Sequence, residues 1–250
     1  MQHIFLMERP HAMKQARYPV MQKFVAARLS PEGKLGLHLT VGVLLMLCAA
    51  WLFGSIAEEV VEADAITRLD LVVANWLHAH ATVAVTQVML VVTHLHSVFG
   101  IIVAGCLLGL YFYRKKAHYW LLTLAVALPG GMLLNVLLKY AFQRARPTFD
   151  TPLLTLTTYS FPSGHTAAAT LFYGTLAAYL ICSTRVWSER AVVTIVAVLA
   201  VVLVGFSRMY LGVHFLSDVL AAVAASSTWL VVCITASSTL RRHRAEAVPC

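Results

Sequence analysis

Residues 118–141 read HYWLLTLAVALPGGMLLNVLLKYA, a stretch whose only Asp, Glu, Lys or Arg residue is Lys139. An apolar run of about 20 residues is long enough for a helix to cross the hydrocarbon core of a bilayer. The whole chain has the same character, since 60% of its 250 residues are hydrophobic and 12% are charged. Ordinary soluble domains carry about 25% charged residues. The sequence therefore predicts an all-α, polytopic membrane protein and excludes a soluble globular domain.

Apolar runs of this kind predict six transmembrane helices. They cover residues 35–56, 97–113, 118–141, 163–182, 191–206 and 215–236. One helix over 83–113 would far exceed a bilayer of about 30 Å, so we expect the part before Ser97 to lie at the interface. We expect a single membrane domain over residues 35–240, with an extracytoplasmic or interfacial segment at 57–96 and polar tails at 1–34 and 241–250. A cleaved signal sequence is the alternative for the first span, which we expect to remain uncleaved.

The positions of Lys and Arg predict the orientation. Fourteen of the 19 lie in the N-terminal tail, in the turns at 114–116 and 185–190, and at 241–244. Because Lys and Arg concentrate in cytoplasmic loops, both termini are expected in the cytoplasm. The net charge of +8 then reflects topology, and no nucleic-acid partner is expected. No pattern in the sequence indicates an oligomeric state.

Residues 57–82 form an acidic region. Its carboxylates are Glu58, Glu59, Glu62, Asp64 and Asp70. Apolar residues between them and Trp76 near the end favour an amphipathic helix on the outer membrane surface. An element that gates substrate access is the alternative interpretation.

Three short segments hold most of the polar chemistry of the chain. They are Lys139 with Arg146-Pro147, then Pro162-Ser163-Gly164-His165, and then Ser207-Arg208 with His214 and Asp218. The predicted topology places all three segments on the extracytoplasmic face. Three fixed cations, two imidazoles and a carboxylate are the groups needed to hold a phosphate and attack its phosphorus. This combination indicates an enzyme.

The spacing within the segments suggests how these groups are placed. His214 and Asp218 are four residues apart, so on a helix they share one face, and a carboxylate that accepts from one ring nitrogen leaves the other as a nucleophile or base. A purely structural His–Asp bond is the alternative. Arg208 should end the fifth span, so that residues 209–213 turn the chain and His214 begins the sixth.

The second segment is expected to begin the fourth span. Ser163 is a favourable N-cap residue, and the Gly164 amide would lie at a helix N-terminus, which binds anions. His165 would then lie beside the anion, where it can give a proton to a leaving oxygen. Each of Lys139, Arg146 and Arg208, taken singly, is also consistent with a cation that snorkels to the interface.

The three segments together resemble the signatures of the type-2 phosphatidic acid phosphatase superfamily. The resemblance implies that His214 attacks phosphorus to form a phosphohistidine, that Asp218 orients His214, and that His165 protonates the departing oxygen. It implies that the phosphoryl oxygens are bound by five further residues: Lys139, Arg146, Ser163, Gly164 and Arg208. Since three cations would replace metal ions, turnover is expected to need no metal and no cofactor.

The expected function is a lipid phosphatase of the bacterial cytoplasmic membrane with its site facing the outside. The first choice of substrate is an isoprenoid carrier diphosphate such as undecaprenyl diphosphate, followed by phosphatidate or phosphatidylglycerol phosphate. A phosphotransferase that passes the phosphate to another lipid would use the same site. An anion transporter and a metalloprotein with His165, His214 and Asp218 as ligands are alternatives of a different class.

Overall fold

The computed structural model describes residues 36–247, and every regular element within that range is an α-helix. The helices are α1 (Leu37–Val61), α2 (Ala65–Ala79), α3 (Val83–Leu95), α4 (Val98–Arg114), α5 (His118–Phe142), α6 (Gly164–Ser183), α7 (Trp187–Tyr210) and α8 (Leu216–Ala247). The all-α prediction is therefore confirmed for this part of the chain. The predicted tail at 1–34 and the last residues, 248–250, lie outside the described range.

Within residues 36–247, five helices are long and apolar enough to cross a membrane: α1, α5, α6, α7 and α8. The predicted span at 97–113 corresponds to α4, an apolar helix of 17 residues. At 1.5 Å per residue such a helix is about 25 Å long, somewhat less than a bilayer core. Helices α2 and α3 reach span length only as a pair, and that pair is bent by 119°. The chain is thus a multi-pass membrane protein with five or six candidate spans.

Helices α1 and α8 extend beyond their predicted ends, and α7 is four residues longer at each end than the predicted span 191–206. Helix α1 continues to Val61, so it includes the first residues of the predicted segment 57–96. Helix α8 continues to Ala247 and absorbs most of the predicted tail at 241–250. As expected, 83–113 is not one helix, because α3 ends at Leu95 and the Ser97 hydroxyl accepts a hydrogen bond from the Gly100 amide at the start of α4 (3.3 Å).

Helix α8 lies at the centre of the bundle, where it packs along α1, α5 and α6. Two glycines of α5 make the contact close. A Cβ atom at Gly130 would lie 2.7 Å from the Trp229 ring, and one at Gly131 would lie 2.5 Å from the Leu171 side chain. Trp229 also donates from Nε1 to the Ala127 carbonyl (3.1 Å). The small residues of α5 thus set the distance between α5, α6 and α8.

Four helices have their ends at the same end of the bundle: α5 and α7 finish there, and α6 and α8 begin there. The loop 143–163 joins α5 to α6 at this end. Helices α2 and α3 pack against α7 and α8 close by, and the Thr82 amide donates to the Tyr210 hydroxyl (2.9 Å). Polar side chains from all of these elements therefore meet in one place.

Candidate active site

The structure brings the three polar segments together at this end of the bundle. A cavity of about 1030 Å³ is lined there by Lys139, Arg146, Gly164, His165, Arg208 and His214. The two remaining predicted site residues, Ser163 and Asp218, are both fully buried. They are linked through the backbone, since the Ser163 amide donates to the Asp218 carbonyl (3.0 Å). All eight predicted residues thus belong to one neighbourhood.

His214 lies with its two ring nitrogens between opposite charges. Nδ1 is 3.3 Å from Oδ2 of Asp218, and Nε2 is 3.3 Å from Nη1 of Arg146. Because a carboxylate only accepts and a guanidinium only donates, Nδ1 carries the proton and Nε2 presents its lone pair to the cavity side. Burial lowers the pKa of His214 to about 4, although the hydrogen bond to Asp218 opposes this shift. A pKa in this range keeps the ring neutral at physiological pH, and the two contacts hold Nε2 in a fixed direction.

The expectation that His214 begins a helix is wrong by two residues. Helix α8 begins at Leu216, and His214 lies in the linker that follows α7. The contact to Asp218 forms because Oδ2 of Asp218 also accepts from the Phe215 amide (2.9 Å), which folds the linker back over the first turn of α8. A carboxylate that caps its own helix in this way satisfies an amide that the helix cannot bond itself.

Arg146 is held by the loop from which it comes and by the linker before α8. Its guanidinium donates to the carbonyls of Thr158 (2.6 Å), Tyr159 (3.0 Å) and Val213 (2.5 Å). Burial lowers the pKa of Arg146, while the charge of Asp218 acts in the opposite direction. The side chain therefore keeps its position beside His214 before any substrate arrives.

Arg208 ends α7 almost as predicted, two residues before the last residue of that helix. It is 1% exposed, and its Nη1 donates to the Thr93 hydroxyl of α3. Within residues 36–247, neither Nε nor Nη2 has a hydrogen-bond partner. Buried guanidinium donors are costly when they are unpaired. Arg208 therefore offers the N–H groups of two nitrogens, Nε and Nη2, to an acceptor in the cavity.

Lys139 lies in the last turn of α5, and its ammonium group donates to the carbonyls of Tyr159 (2.8 Å) and Ser160 (3.2 Å). Asn135, one turn earlier, donates to the Pro162 carbonyl (3.4 Å). The end of α5 thus fixes both the loop and the segment that precedes α6. Asn135 therefore contacts the loop that carries the site, in addition to its place within α5.

The segment before α6 differs from the prediction in one detail. Ser163 occupies the N-cap position, but its side chain makes no capping hydrogen bond. Its hydroxyl instead accepts from the Thr166 hydroxyl (3.0 Å). Gly164 and His165 form the first turn of α6 and line the cavity, with the free helix amides nearby. This arrangement suits an anion between the helix N-terminus and Arg208.

Sequence reasoning missed two charged residues that touch this site. Arg144 donates to Asp218 (2.7 Å) and to Asp70 of α2 (2.7 Å), and both carboxylates are fully buried. Arg144 lies outside the three polar segments, and Asp70 was predicted only as part of an acidic helix on the membrane surface. A separation of 74 residues leaves no periodic signal that links Asp70 to Arg144. No three His, Cys, Asp or Glu side chains within residues 36–247 are grouped closely enough to hold a metal ion.

Comparison with known proteins identifies relatives over most of the chain. A family model described as the PAP2 superfamily matches residues 118–242. Phosphatidylglycerophosphatase B of Bacillus subtilis strain 168 is 34% identical over 175 residues, which are 68% of this chain and 84% of that protein. An undecaprenyl-diphosphatase of Sulfolobus acidocaldarius is 33% identical over 105 residues, which are 40% of this chain and 47% of that protein.

Solved structures show the same fold. The crystal structure of a transmembrane PAP2 type phosphatidylglycerolphosphate phosphatase from Bacillus subtilis aligns with a TM-score of 0.60 and 30% identity, over 77% of this chain and 94% of that one. LpxE of Aquifex aeolicus aligns with a TM-score of 0.54 and 22% identity, over 66% of this chain and 94% of that one. At 22% identity the second likeness concerns the fold alone.

Proposed function

This chain is a lipid phosphatase belonging to the PAP2 superfamily, and we propose that it removes the terminal phosphate from a membrane-embedded lipid phosphate or diphosphate through a phosphohistidine. The lipid is an isoprenoid carrier diphosphate or a phospholipid such as phosphatidate or phosphatidylglycerol phosphate. The named relatives include one phosphatidylglycerophosphatase and one undecaprenyl-diphosphatase, so both classes have a precedent among similar proteins.

The observation that carries the proposal is the position of Arg208 at one end of a long cavity with apolar walls. At one end, Nε and Nη2 of Arg208, which have no hydrogen-bond partner within residues 36–247, lie near Arg146 and Lys139. Away from these cations the walls come from α4 and α5 and are apolar. They include Ile101, Gly105, Leu124, Leu128 and Met132. A cavity with cations at one end and apolar walls along its length matches a molecule with a phosphate head and a hydrocarbon tail.

The proposed reaction has two steps. In the first, Nε2 of His214 attacks phosphorus, the bond from phosphorus to the lipid oxygen breaks, and His165 gives a proton to that oxygen. In the second, water attacks the phosphohistidine, His165 takes the proton from the water, and the nitrogen–phosphorus bond breaks. Asp218 keeps the proton of His214 on Nδ1, which leaves Nε2 free for the attack.

Lys139, Arg146 and Arg208 would bind the phosphoryl oxygens, together with Ser163 and the Gly164 amide. A transferring phosphoryl group spreads negative charge over three equatorial oxygens, and preorganised cations stabilise that charge. Arg146 and Lys139 are already fixed by loop carbonyls, so little reorganisation is needed when the phosphate enters. Three cations supply the charge that divalent ions supply elsewhere, and we therefore propose turnover without a metal.

We further propose that α4 completes a set of six spans, that both termini lie in the cytoplasm, and that the site faces the outside of a bacterial cytoplasmic membrane. The distribution of Lys and Arg supports this orientation. The substrate would then enter from the outer leaflet, with its tail along the apolar walls of the cavity.

The decisive experiment measures phosphate release by the purified protein in detergent micelles. The panel contains undecaprenyl diphosphate, undecaprenyl phosphate, phosphatidate and phosphatidylglycerol phosphate, each with and without EDTA. We expect release from at least one lipid phosphate, at the same rate in EDTA. Release from none of them would contradict the proposed activity, and loss in EDTA that a divalent ion restores would contradict the metal-free mechanism.

A further inference from the structure

Asp70 is a fully buried carboxylate that comes from the acidic segment outside the three signature segments. Its Oδ2 accepts from Nη2 of Arg144 (2.7 Å) and from the Ser217 hydroxyl, and its Oδ1 accepts from the Ser217 amide (2.9 Å). Burying an ionised carboxylate is costly unless it is paired and hydrogen-bonded. Every one of these partners lies in the loop before α6 or in the first turn of α8, next to the nucleophile.

Arg144 connects Asp70 to the candidate nucleophile. While Nη2 bonds Asp70, Nη1 bonds Oδ1 of Asp218 (2.7 Å) and the Ser217 hydroxyl (2.7 Å). The guanidinium carbon also lies 4.5 Å from the centre of the Phe215 ring, which restricts its movement. The other oxygen of Asp218 accepts from His214. A continuous chain of contacts therefore runs from Asp70 through Arg144 and Asp218 to His214.

The formal charges along this series of contacts explain the role proposed for Asp70. Two carboxylates and one guanidinium have a formal charge of −1, so Arg144 is shared and cannot fully neutralise Asp218. Without the charge of Asp70, Arg144 would pair with Asp218 alone and the sum would be zero. In a phosphohistidine the ring carries a phosphoryl group on Nε2 and a proton on Nδ1, so the imidazole is cationic and a negative neighbour stabilises it.

We propose that Asp70 is a positioning residue that acts through Arg144 to keep Asp218 negatively charged and oriented toward His214. This inference rests on the proposed function. Neither Asp70 nor Arg144 lines the cavity, so the loss of Asp70 should slow the chemical step and leave substrate binding nearly unchanged. Residues that orient the ligands of a metal ion contribute about 10- to 100-fold to activity, and we expect an effect of similar size from Asp70.

A merely structural role for Asp70 predicts that a variant which still caps α8 keeps its activity. Its carboxylate also caps α8, because it accepts from the Ser217 amide. Asn caps a helix about as well as Asp does. Asp70→Asn therefore retains an oxygen for the Ser217 amide but removes the charge and replaces the oxygen that accepts from Arg144 with an NH2 group, which only donates. Asp70→Glu retains the charge and both acceptor oxygens. The matched control is Asp64→Asn, which removes an exposed carboxylate from the N-cap of the same helix, where it lies 3.7 Å from Arg68.

The experiment compares these variants with the wild-type protein in steady-state phosphate release and in the rate at which diethylpyrocarbonate modifies His214, followed by peptide mass spectrometry. We expect Asp70→Asn to lower kcat about 10- to 100-fold with KM within about twofold, and to slow the modification of His214. Asp70→Glu should retain more activity than Asp70→Asn, and Asp64→Asn should match the wild type in both measurements.

Wild-type kcat in a folded Asp70→Asn variant would overturn the inference, and so would a lower kcat in Asp70→Glu than in Asp70→Asn. If Asp70→Asn fails to fold, the Glu variant decides, because the inference requires it to keep activity and normal reactivity of His214. A wild-type protein that releases phosphate from no lipid contradicts the proposed function instead. The reactivity of His214 toward diethylpyrocarbonate then tests the role of Asp70 by itself.

Discussion

Nη1 of Arg146 lies 3.3 Å from Nε2 of His214, so a fixed cation points at the nitrogen that carries the lone pair. A cation in this position disfavours protonation of the ring and would also bind the oxygens of a phosphate that His214 attacks. In the proposed mechanism, Arg146 would thus act both on His214, by keeping its ring neutral, and on the phosphate that His214 attacks, by binding its oxygens.

Replacing His214 with Ala should lower the rate of phosphate release by at least about a thousandfold, the scale seen when a catalytic nucleophile is lost. Insertion into the membrane and the melting temperature in detergent should be retained. His80→Ala is a suitable control, because His80 is the exposed residue that follows α2 and its ring bonds the Trp76 carbonyl of that helix (2.8 Å). Near-normal release by the His214 variant would refute its assignment as the nucleophile.

The pH dependence should follow the lowered pKa of His214, which is about 4. Since the neutral ring is the proposed nucleophile, protonation of His214 should not lower kcat/KM between pH 7 and about pH 5, but should lower it below about pH 4. The unfolded chain binds this proton at about pH 6.5. Stability contributed by burying the neutral ring is therefore full above about pH 6.5 and is lost as the pH falls toward 4. An acid limb centred near pH 6.5 in the kinetic profile would contradict the assignment.

Thr93 should contribute to phosphate binding although it lies 115 residues from Arg208. Thr93→Val keeps the shape of the side chain and removes the hydroxyl that holds Nη1. Because a hydrogen bond to a charged group contributes about 1.5–3 kcal/mol, kcat/KM should fall at least about tenfold. Thr194→Val, at an exposed position on the same helix as Arg208, should have no such effect. Equal kinetics for the two variants would show that Arg208 does not depend on Thr93.

The close packing of α5 predicts a large difference between two glycine substitutions. A Cβ atom at Gly131 would meet the Leu171 side chain at 2.5 Å, whereas none of the neighbouring side chains lies within 4 Å of one at Gly54 in α1. Gly131→Ala should therefore lower the free energy of unfolding by about 1–3 kcal/mol. Gly54→Ala should be neutral or slightly stabilising, since Ala favours helices. Thermal unfolding in detergent would compare them, and equal melting temperatures would refute the packing argument.

The proposed orientation can be tested with single cysteines in a background without the native ones. Thr151→Cys, in the exposed part of the loop beside the site, should react with a membrane-impermeant thiol reagent in intact cells. Arg185→Cys, in the turn between α6 and α7, should react only after lysis. The reverse pattern would overturn the topology.

The sequence predicted most of the fold because hydrophobic length alone identifies membrane helices. It also predicted which residues the structure brings together at the candidate site, because they occur in three compact segments, while their catalytic roles stay a prediction. The structure adds what depends on distant contacts. Asp70 and Thr93 carry no local pattern, since the role of each becomes visible only when its distant partner is known. The predicted start of α8 was wrong because Asp218 caps its own helix and leaves His214 in the linker. The four-residue spacing of His214 and Asp218 is the same whether His214 lies in the helix or just before it.

The contacts of Arg144 and Arg208 limit where this chain can be cut into two fragments. Asp70 and Thr93 lie before residue 118, where the match to the family model begins, although they contact residues inside it. A fragment that starts at residue 118 would keep every signature residue and still lack the groups that hold two of its guanidinium side chains. Supplying residues 36–117 as a separate chain should then restore activity in trans, as in a split enzyme whose halves reassemble in the bilayer.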